Sequence, residues 1–334
     1  HRRRHSFPTR RSSDLGYLYF QMNKYDKAEP VYLEALAIRE KVIGKENADY
    51  AQTLHNLGLL YFQMGKYDKA EPIFLKALTV REKVLGKEHI DYAWTLFSLG
   101  LLYKKLGDYG RSELFYLGAK SIFENILGKE HRDYALCLNN LGNVYVEMGN
   151  YLKAEPLYLE AKNIRQNVLG NEHLDYAQSL YNFGFLYDRM GNYEKAEAFY
   201  LEVKEIKAKM LGKQNFGYAL ALRDLGLLYL RLGKYEKSEL FYKEALSVME
   251  TVVERNKLDY ANTIMGLGLL YKNMGNYEES ENLYLKAKDI QEKLLGKEHP
   301  EYAWSLNNLG VLYWNMGNYE KSESLLLTTK DIWG

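Results

Sequence analysis

The sequence predicts an all-α protein built from stacked helical hairpins, and its 42-residue period is the main reason. A Leu-Gly-x-x-Tyr string, with phenylalanine for leucine once, recurs at this spacing along the 334 residues. Fixed periods of about 20–50 residues are typical of arrays in which each repeat buries its apolar face against the next. We therefore expect about eight hairpins in a right-handed α-solenoid. The repeated glycines are Gly16, Gly58, Gly100, Gly142, Gly184, Gly226, Gly268 and Gly310.

The first helix of each repeat, helix A, is predicted from apolar spacing. In the second repeat, Leu54, Leu57 and Tyr61 follow the i, i+3, i+7 spacing of one helix face. Gly65 comes next, and a glycine just past a helix end can adopt the left-handed conformation that closes the helix. We expect helix A to span about 15 residues.

A second helix, helix B, follows in each repeat. Ala70 and Phe74 begin its apolar stripe, and Gly86 ends it after about 18 residues. The glycine of the Leu-Gly pair has no side chain, so the small residue and the aromatic residue of helix B are expected to pack closely against it. Pro300, in the last linker, is expected at the first helical position, where no donor is needed.

Four histidines recur at one linker position and raise the possibility of a metal array. Neighbouring copies lie two helix layers apart, at about 8–10 Å per layer, whereas nitrogen ligands lie about 2 Å from a zinc ion. We therefore expect these histidines to cap helices and expect no metal. No phosphate-binding glycine motif and no nucleophile–base set is evident, so we also expect no cofactor and no enzymatic activity. The histidines are His89, His131, His173 and His299.

These motifs resemble the tetratricopeptide repeat family. Leu57, Gly58 and Tyr61, followed by Ala70 and Phe74, reproduce the spacing of that repeat. The longer period and the Gly-Lys-Glu-His-x-Asp-Tyr-Ala linkers look like the kinesin-light-chain type. The resemblance extends over residues 16–334. It implies a scaffold that binds a protein or an extended peptide in a concave groove lined by the A helices.

The first fifteen residues do not belong to the repeat. The string at 5–15 looks like the conceptual translation of a common sequencing adapter, so 1–15 is expected to be a non-native segment. Residues 16–334 are expected to form a single solenoid, truncated at both ends. The net charge of the chain is +1, and five arginines and one aspartate give the first segment +4. The repeats therefore carry −3, which argues against a nucleic acid partner.

Composition narrows the location of the protein. No stretch approaches the roughly 18 apolar residues that a membrane span requires, so we expect no membrane partner. Cys137 is the single cysteine, which excludes an internal disulfide and fits a reducing compartment. We read Cys137 as a packing residue and expect a cytoplasmic protein.

The candidate site follows from positions of helix A that vary between copies. In the family that this chain resembles, these positions line the groove, and the second asparagine of a Leu-Asn-Asn-Leu motif pairs with the backbone of a bound peptide. Asn140 and Asn308 match that motif fully, whereas Asn56 and Asn182 match only its second asparagine. The candidate peptide-binding residues are Asn56, Lys104, Lys105, Asn140, Asn182, Arg189, Arg223, Arg231, Lys272 and Asn308.

The charges at this predicted groove suggest the character of its ligand. Six basic residues face three acidic ones, Glu147, Asp188 and Asp224, in a region of net charge −3. This contrast favours an extended peptide with acidic character.

Two functions are carried forward. The first is a non-catalytic scaffold for protein–protein interaction. The alternative is a regulatory or sensor segment of a larger bacterial signalling protein or peptidase whose effector domain is missing.

One repeat is also expected to be less stable than the others. Glu254 replaces the usual linker glycine before the seventh repeat, and Gly266 and Gly268 share one helix A.

Overall fold

The computed structural model describes residues 7–252 and 256–333, and in them the chain forms sixteen helices and no strand. Odd-numbered helices are A helices, and even-numbered helices are B helices. Their bounds are α1 Phe7–Gln21, α2 Tyr25–Ile43, α3 Ala48–Gln63, α4 Tyr67–Leu85, α5 Ile90–Lys105, α6 Tyr109–Leu127, α7 Arg132–Glu147, α8 Tyr151–Leu169, α9 Leu174–Arg189, α10 Tyr193–Leu211, α11 Phe216–Arg231, α12 Tyr235–Glu250, α13 Lys257–Asn273, α14 Tyr277–Leu295, α15 Pro300–Asn315 and α16 Tyr319–Trp333.

The helices form two compact units, which divide after Val168. In each unit, the A and B helices of a hairpin pack together, and helix B also packs on helix A of the next hairpin. The predicted all-α array of helical hairpins is therefore confirmed. Unit one contains the first four hairpins, and unit two contains the last four.

A close approach between glycine and an aromatic ring joins the two helices of a hairpin. A Cβ atom built on Gly58 would lie 2.6 Å from the ring of Phe74, closer than real Cβ atoms come to other atoms. Four of the hairpins add a hydrogen bond: in the third, Ser112 Oγ donates to the Gly100 carbonyl oxygen at 2.7 Å. The predicted packing role of the repeated glycine is confirmed, because a larger residue would push the aromatic ring away.

The linkers end and start helices as expected. Gly86 follows α4 with φ +87°, and the Nδ1 atom of His89 accepts a hydrogen bond from the Asp91 backbone nitrogen at 3.1 Å. Such a bond satisfies one of the free donors in the first turn of α5. His131, His173 and His299 cap α7, α9 and α15 in the same way, so the predicted capping role is confirmed. Pro300 begins α15, as predicted.

A tyrosine–glutamate hydrogen bond links one hairpin to the next. The Tyr103 hydroxyl on α5 donates to Glu71 Oε1 on α4 at 2.6 Å. The tyrosine is the one in the repeated string, and the glutamate lies 32 residues earlier. These bonds tie successive hairpins together at the edge of the apolar core. In unit one they join Tyr61 to Glu29, Tyr103 to Glu71 and Tyr145 to Glu113, and in unit two Tyr229 to Glu197, Tyr271 to Glu239 and Tyr313 to Glu281.

Two junctions between hairpins of unit one fill equivalent buried positions with different residues. Between the second and third hairpins, Arg81 is fully buried and donates to the carbonyl of Asp91 at 2.7 Å and to Thr95 Oγ1 at 2.6 Å. Arg39 makes the equivalent contacts to Asp49 and Thr53 one repeat earlier. Burial lowers the pKa of Arg81 to about 10. This guanidinium is therefore desolvated, and its hydrogen bonds compensate for the lost water.

One repeat later the same positions are apolar. Phe123 replaces the arginine and packs edge-on against Trp94, with ring centroids 5.1 Å apart. Cys137 replaces the threonine, is buried, and its thiol donates to the Tyr116 carbonyl oxygen at 3.4 Å. Burial raises the pKa of the Cys137 thiol. This agrees with its predicted packing role, since a buried neutral thiol is inert.

The seventh hairpin departs from the others. Its preceding helix, α12, ends at Glu250 and is 16 residues long, whereas the B helices with the usual linker have 19. Glu254 lies outside the described residues. A Cβ atom on Gly266 would lie 2.6 Å from the Tyr242 hydroxyl oxygen. Gly266 is therefore a packing residue, and the expected gain on replacing it with alanine would be offset by a clash.

The first hairpin begins inside the adapter-like segment. Residues 1–6 lie outside the described part of the chain, and α1 begins at Phe7. Ser13 is buried, and Leu15 supplies the leucine that precedes Gly16. The helical register of the repeat thus continues upstream of Gly16.

Candidate functional site

The predicted site residues lie on A helices, and each unit carries its own set. The exposed sides of the odd-numbered helices form what we call the A-helix surface of each unit. Unit one places Asn56 on α3, Lys104 and Lys105 on α5, and Asn140 on α7. Unit two places Asn182 and Arg189 on α9, Arg223 and Arg231 on α11, Lys272 on α13 and Asn308 on α15.

The asparagines of unit one are already engaged on one side. Gln52 Nε2 donates to Asn56 Oδ1 at 2.8 Å, which leaves the Asn56 amide nitrogen as a donor. Asn140 Nδ2 donates to the Leu136 carbonyl oxygen at 2.9 Å, which leaves its amide oxygen as an acceptor. Both side chains are partly exposed. Each side chain thus keeps hydrogen-bonding capacity that it can offer to a peptide backbone.

Lys104 and Lys105 are the basic residues of the unit-one surface. Lys105 is exposed, whereas Lys104 is half-buried. Burial, followed by the charge of Lys105, lowers the pKa of the Lys104 ammonium, and Glu147 opposes that shift. No salt bridge joins either lysine to a carboxylate in the part of the chain that the structure describes. This pair is therefore available to an anionic ligand.

The asparagines of unit two differ in access. Asn182 has only 5% of its surface exposed, and its Oδ1 accepts a hydrogen bond from Gln178 Nε2 at 3.1 Å. Asn308 is partly exposed on α15. Their assignment to a peptide site stays a prediction, and Asn308 is the more accessible of the two.

Arg223 takes part in a charge cluster within unit two. Its Nη2 atom lies 3.0 Å from Asp224 Oδ1, and its Nη1 atom lies 3.0 Å from Asp259 Oδ1 on α13. Burial raises the pKa of Asp224, although Arg223 opposes that shift. The pair to Asp224 is largely buried. Arg223 is therefore committed to the fold of unit two.

Arg231 is paired in the same unit. It forms a salt bridge with Asp188, which is buried. Arg189 lies with its guanidinium carbon 6.0 Å from the centroid of the Phe185 ring, and burial lowers the pKa of the partly buried Lys272. Aspartates thus compensate Arg223 and Arg231, whereas Arg189 and Lys272 form no salt bridge in the described residues.

Sequence reasoning missed several residues that shape these surfaces. Asp259 was absent from the candidate charges, although it neutralises Arg223. Gln52 and Gln178 each lie four residues before a candidate asparagine and donate to it. That spacing places two side chains on one helix face and was a usable signal. The pair of Arg223 and Asp259 joins two hairpins, and no local spacing predicts it.

No group of three or more histidine, cysteine, aspartate or glutamate side chains is arranged to hold a metal ion in the described residues. None of the helices described combines the length and the apolar character required to cross a bilayer.

The repeated hairpins, their glycine–aromatic contacts and the A-helix surfaces define a helical-repeat interaction protein. The tetratricopeptide repeat profile matches residues 10–83, 49–117, 134–209, 189–251 and 259–332. The chain belongs to the tetratricopeptide repeat family, as its motifs predicted. No curated protein matches it.

Three solved structures illustrate the proteins whose fold is similar. The nearly identical repeats of a Podosopora anserina kinesin light chain share 21% identity, cover 60% of this chain and 95% of theirs, and give a TM-score of 0.53. The quorum sensor NprR from B. thuringiensis, in its apo form, gives a TM-score of 0.76 at 16% sequence identity. The match covers 98% of this chain and 87% of NprR. The third structure is a Signal Transduction ATPase with Numerous Domains protein from Pyrococcus horikoshii, which contains a tetratricopeptide repeat sensor. It gives a TM-score of 0.65 at 18% sequence identity, and the match covers 98% of this chain and 48% of that protein. At these identities the likeness shows the fold alone.

Proposed function

We propose that this protein is a non-catalytic, cytoplasmic scaffold that binds an extended peptide with acidic side chains on the A-helix surface of unit one. The observation that carries the proposal is the pair Lys104 and Lys105, which lack a salt-bridge partner within the described residues. On the adjacent helix α7, Asn140 keeps a free acceptor for a peptide N–H group. The surface thus offers charge for side chains and hydrogen bonding for a backbone.

The proposal narrows the ligand site that the sequence suggested. In unit two, Arg223 and Arg231 are paired with aspartates, so an acidic ligand that used them would have to break existing ion pairs. The unpaired Arg189 and Lys272 lie on separate helices, α9 and α13, whereas Lys104 and Lys105 are neighbours on α5. In unit one, the same ligand would relieve the repulsion between two neighbouring ammonium groups. Charged contacts of this kind mainly set the association rate and its dependence on salt.

A peptide screen tests the proposal. Displayed extended peptides with acidic, neutral or basic side chains would be selected against the full chain, and dissociation constants would be measured at two ionic strengths. We expect acidic peptides to be enriched and Lys104→Glu/Lys105→Glu to weaken their binding by about tenfold or more. The matched control is Lys27→Glu/Lys41→Glu, which reverses two exposed charges on α2.

The asparagine contribution is measured in the same assay. Asn140→Ala should weaken binding by about fivefold, which is the effect of one hydrogen bond. Asn182→Ala tests the more buried residue, and Asn171→Ala, in an exposed linker, serves as the control. Selected peptides without acidic bias, or binding that is indifferent to the lysine and asparagine changes, would show that the surface has been misassigned.

A second candidate function is supported by one comparison. The Pyrococcus horikoshii protein contains a tetratricopeptide repeat sensor, and this chain covers 48% of its length. A regulatory segment of a larger protein would use the same surface, with the bound peptide controlling an effector elsewhere. Sequencing the complete reading frame around this chain separates the two functions, because only the second requires an attached effector domain.

A further inference from the structure

One position of helix B normally covers the first tyrosine of helix A in the same hairpin. In the fourth hairpin, Glu160 fills it and accepts a hydrogen bond from the Tyr134 hydroxyl at 3.0 Å. In the second hairpin, Lys76 fills it, with its ammonium 5.4 Å from the centroid of the Tyr50 ring. The covering side chain therefore contacts the tyrosine either by a hydrogen bond with its hydroxyl or by an ammonium group placed over its ring. Three hairpins of unit two follow the same rule, with Glu202 on Tyr176, Glu244 on Tyr218 and Lys286 on Tyr260.

The third hairpin breaks this rule. Gly118 occupies the covering position, and the tyrosine beneath it is Tyr92. Tyr92 has only 9% of its surface exposed. Its hydroxyl makes no hydrogen bond to another described residue. The hydroxyl oxygen reaches the open space that Gly118 leaves, where it can donate a hydrogen bond to a ligand.

A cavity opens where the covering side chain is missing. It measures about 560 Å³ and is lined by Tyr92, Leu96, Phe115 and Ile122, with Lys87, Glu88 and Arg111 at its rim. We call it the Tyr92 cavity. The eighth hairpin supports the same cause: Thr328 is the short residue there, and a cavity of about 550 Å³ adjoins Tyr302 and Leu306.

We propose that the Tyr92 cavity binds a glutamate side chain of a partner protein. The carboxylate would accept a hydrogen bond from the Tyr92 hydroxyl, and the aliphatic stem would lie against Leu96. Three other hairpins show this glutamate–tyrosine contact within the chain, at Glu160, Glu202 and Glu244. Neither Lys104 nor Lys105 lines the cavity, and the proposal is independent of the function proposed above.

The chemistry of the cavity favours glutamate over lysine. Burial raises the pKa of the Tyr92 hydroxyl, which keeps it protonated as a hydrogen-bond donor. Lys87 and Arg111 at the rim are paired with Glu82 and with Asp108 and Glu71. Both cations are more than half exposed, and exposed ion pairs of this kind are weak enough to exchange. Glu88 adds one carboxylate to the same rim, so two cations and one anion line the cavity, and this balance favours a carboxylate over an ammonium group.

An apolar residue beside the glutamate would complete the fit. Leu114 also lines the cavity, and 69% of its surface is exposed. The volume exceeds what one glutamate side chain fills, so part of the neighbouring residue would enter as well. The partner segment is therefore expected to carry leucine or a similar residue next to its glutamate, which would cover Leu114.

The test fills the cavity from within. Gly118→Glu installs the residue that three other hairpins carry, and its carboxylate should occupy Tyr92. The matched control is Gly110→Glu, which adds the same charge to the same helix where an added Cβ would meet no tight contact. Short displayed peptides with a central Leu-Glu-Leu, Leu-Gln-Leu or Leu-Lys-Leu would be tested on each full-length variant.

We expect the wild type and Gly110→Glu to prefer the glutamate peptides. Gly118→Glu should lower their affinity by about tenfold or more, and Tyr92→Phe by about fivefold, since it removes one hydrogen bond. Gly118→Glu should also melt close to the wild type, because the helix preference of glutamate over glycine offsets the small shift of Leu96, whose Cδ1 atom would lie 3.1 Å from the added Cβ. Lys104→Glu/Lys105→Glu should leave this binding unchanged.

Three results would overturn the proposal. They are equal binding of the glutamine or lysine peptides, binding to Gly118→Glu that matches the wild type, and binding that is lost on Lys104→Glu/Lys105→Glu but kept on Gly118→Glu. The last result would assign the peptides to the A-helix surface of unit one.

Discussion

The two units use one scaffold but finish their A-helix surfaces differently. Unit one leaves Lys104 and Lys105 without salt bridges in the described residues, whereas unit two pairs Arg223 with Asp224 and Asp259. The helices, their lengths and their capping are nearly the same in both. The difference teaches that pairing, rather than residue type, decides whether a charge on this surface is committed to the fold or left available.

The largest effect is expected where charge serves the fold. Arg223→Met leaves the largely buried Asp224 carboxylate without its nearest partner and should lower the free energy of unfolding by about 2–3 kcal/mol. Lys104→Met in unit one should change it by less than about 0.5 kcal/mol. Urea unfolding of both variants, with amide exchange in α11 and α5, measures the contrast.

A second substitution separates the charge from the packing. Arg223→Met/Asp224→Asn removes the stranded carboxylate and should recover most of the loss, because asparagine occupies the same repeat position at Asn56 and Asn140. If the double variant is no more stable than Arg223→Met, the cluster acts through packing, and the contrast between the units is not electrostatic.

The next effect concerns pH and unit one. His55 on α3 is buried, its Nδ1 atom has no partner among the described residues, and burial lowers its pKa from 6.5 to about 3. The unfolded chain therefore binds a proton that the folded chain refuses between these values. The contribution of His55 to the free energy of unfolding is therefore fully present above pH 6.5. As the pH drops, the free energy of unfolding falls, by about 2 kcal/mol at pH 5.

His55→Phe should remove this part of the acid sensitivity. Phe97 occupies the position one repeat later and packs on Tyr116 with ring centroids 5.4 Å apart, much as His55 packs on Phe74 at 5.7 Å. Thermal unfolding from pH 7 to pH 5 measures the difference between variant and wild type. Parallel curves for the two proteins would mean that His55 takes up its proton in the folded chain at nearly the same pH as in the unfolded chain.

The smallest effect is expected at the caps, which do not distinguish the units. His131→Ala removes the side-chain acceptor at the start of α7 and should cost about 1 kcal/mol. His131→Asn should cost almost nothing, because Asn47 in unit one and Asn215 in unit two cap their helices at 2.8 Å. Thermal unfolding compares the two variants. A large loss for His131→Asn would reveal a role of the imidazole beyond capping.

Sequence reasoning succeeded where a contact repeats with the period. The contact between Gly58 and Phe74 has an aromatic counterpart in seven of the eight hairpins, and Leu326 takes the aromatic place in the last one. Small and aromatic residues at a constant spacing were therefore sufficient to predict it. The capping by His89 followed from the same regularity. Such contacts lie within 16 residues and depend on helix geometry alone.

The candidate site was harder because its contacts cross between hairpins. The pair of Arg223 and Asp259 spans 36 residues, and its existence depends on how two hairpins dock and which rotamers they allow. The burial of Asn182 likewise follows from docking. The Tyr92 cavity arises from Gly118 in α6. Taken alone, this glycine indicates only a weak helix former, and its effect on the cavity becomes clear when the same position is compared in the neighbouring repeats.

The buried arginine junctions of unit one also bear on how a repeat gene can lengthen or shorten. Unequal recombination adds or removes whole 42-residue blocks, and each event brings a new pair of positions together. Loss of residues 48–89 would set Arg39 beside Thr95, which reproduces a junction that already exists. Loss of residues 90–131 would set Arg81 beside Cys137 and leave a buried guanidinium facing a thiol. The buried side chains thus determine which block deletions a lineage can keep, although every block has the same length.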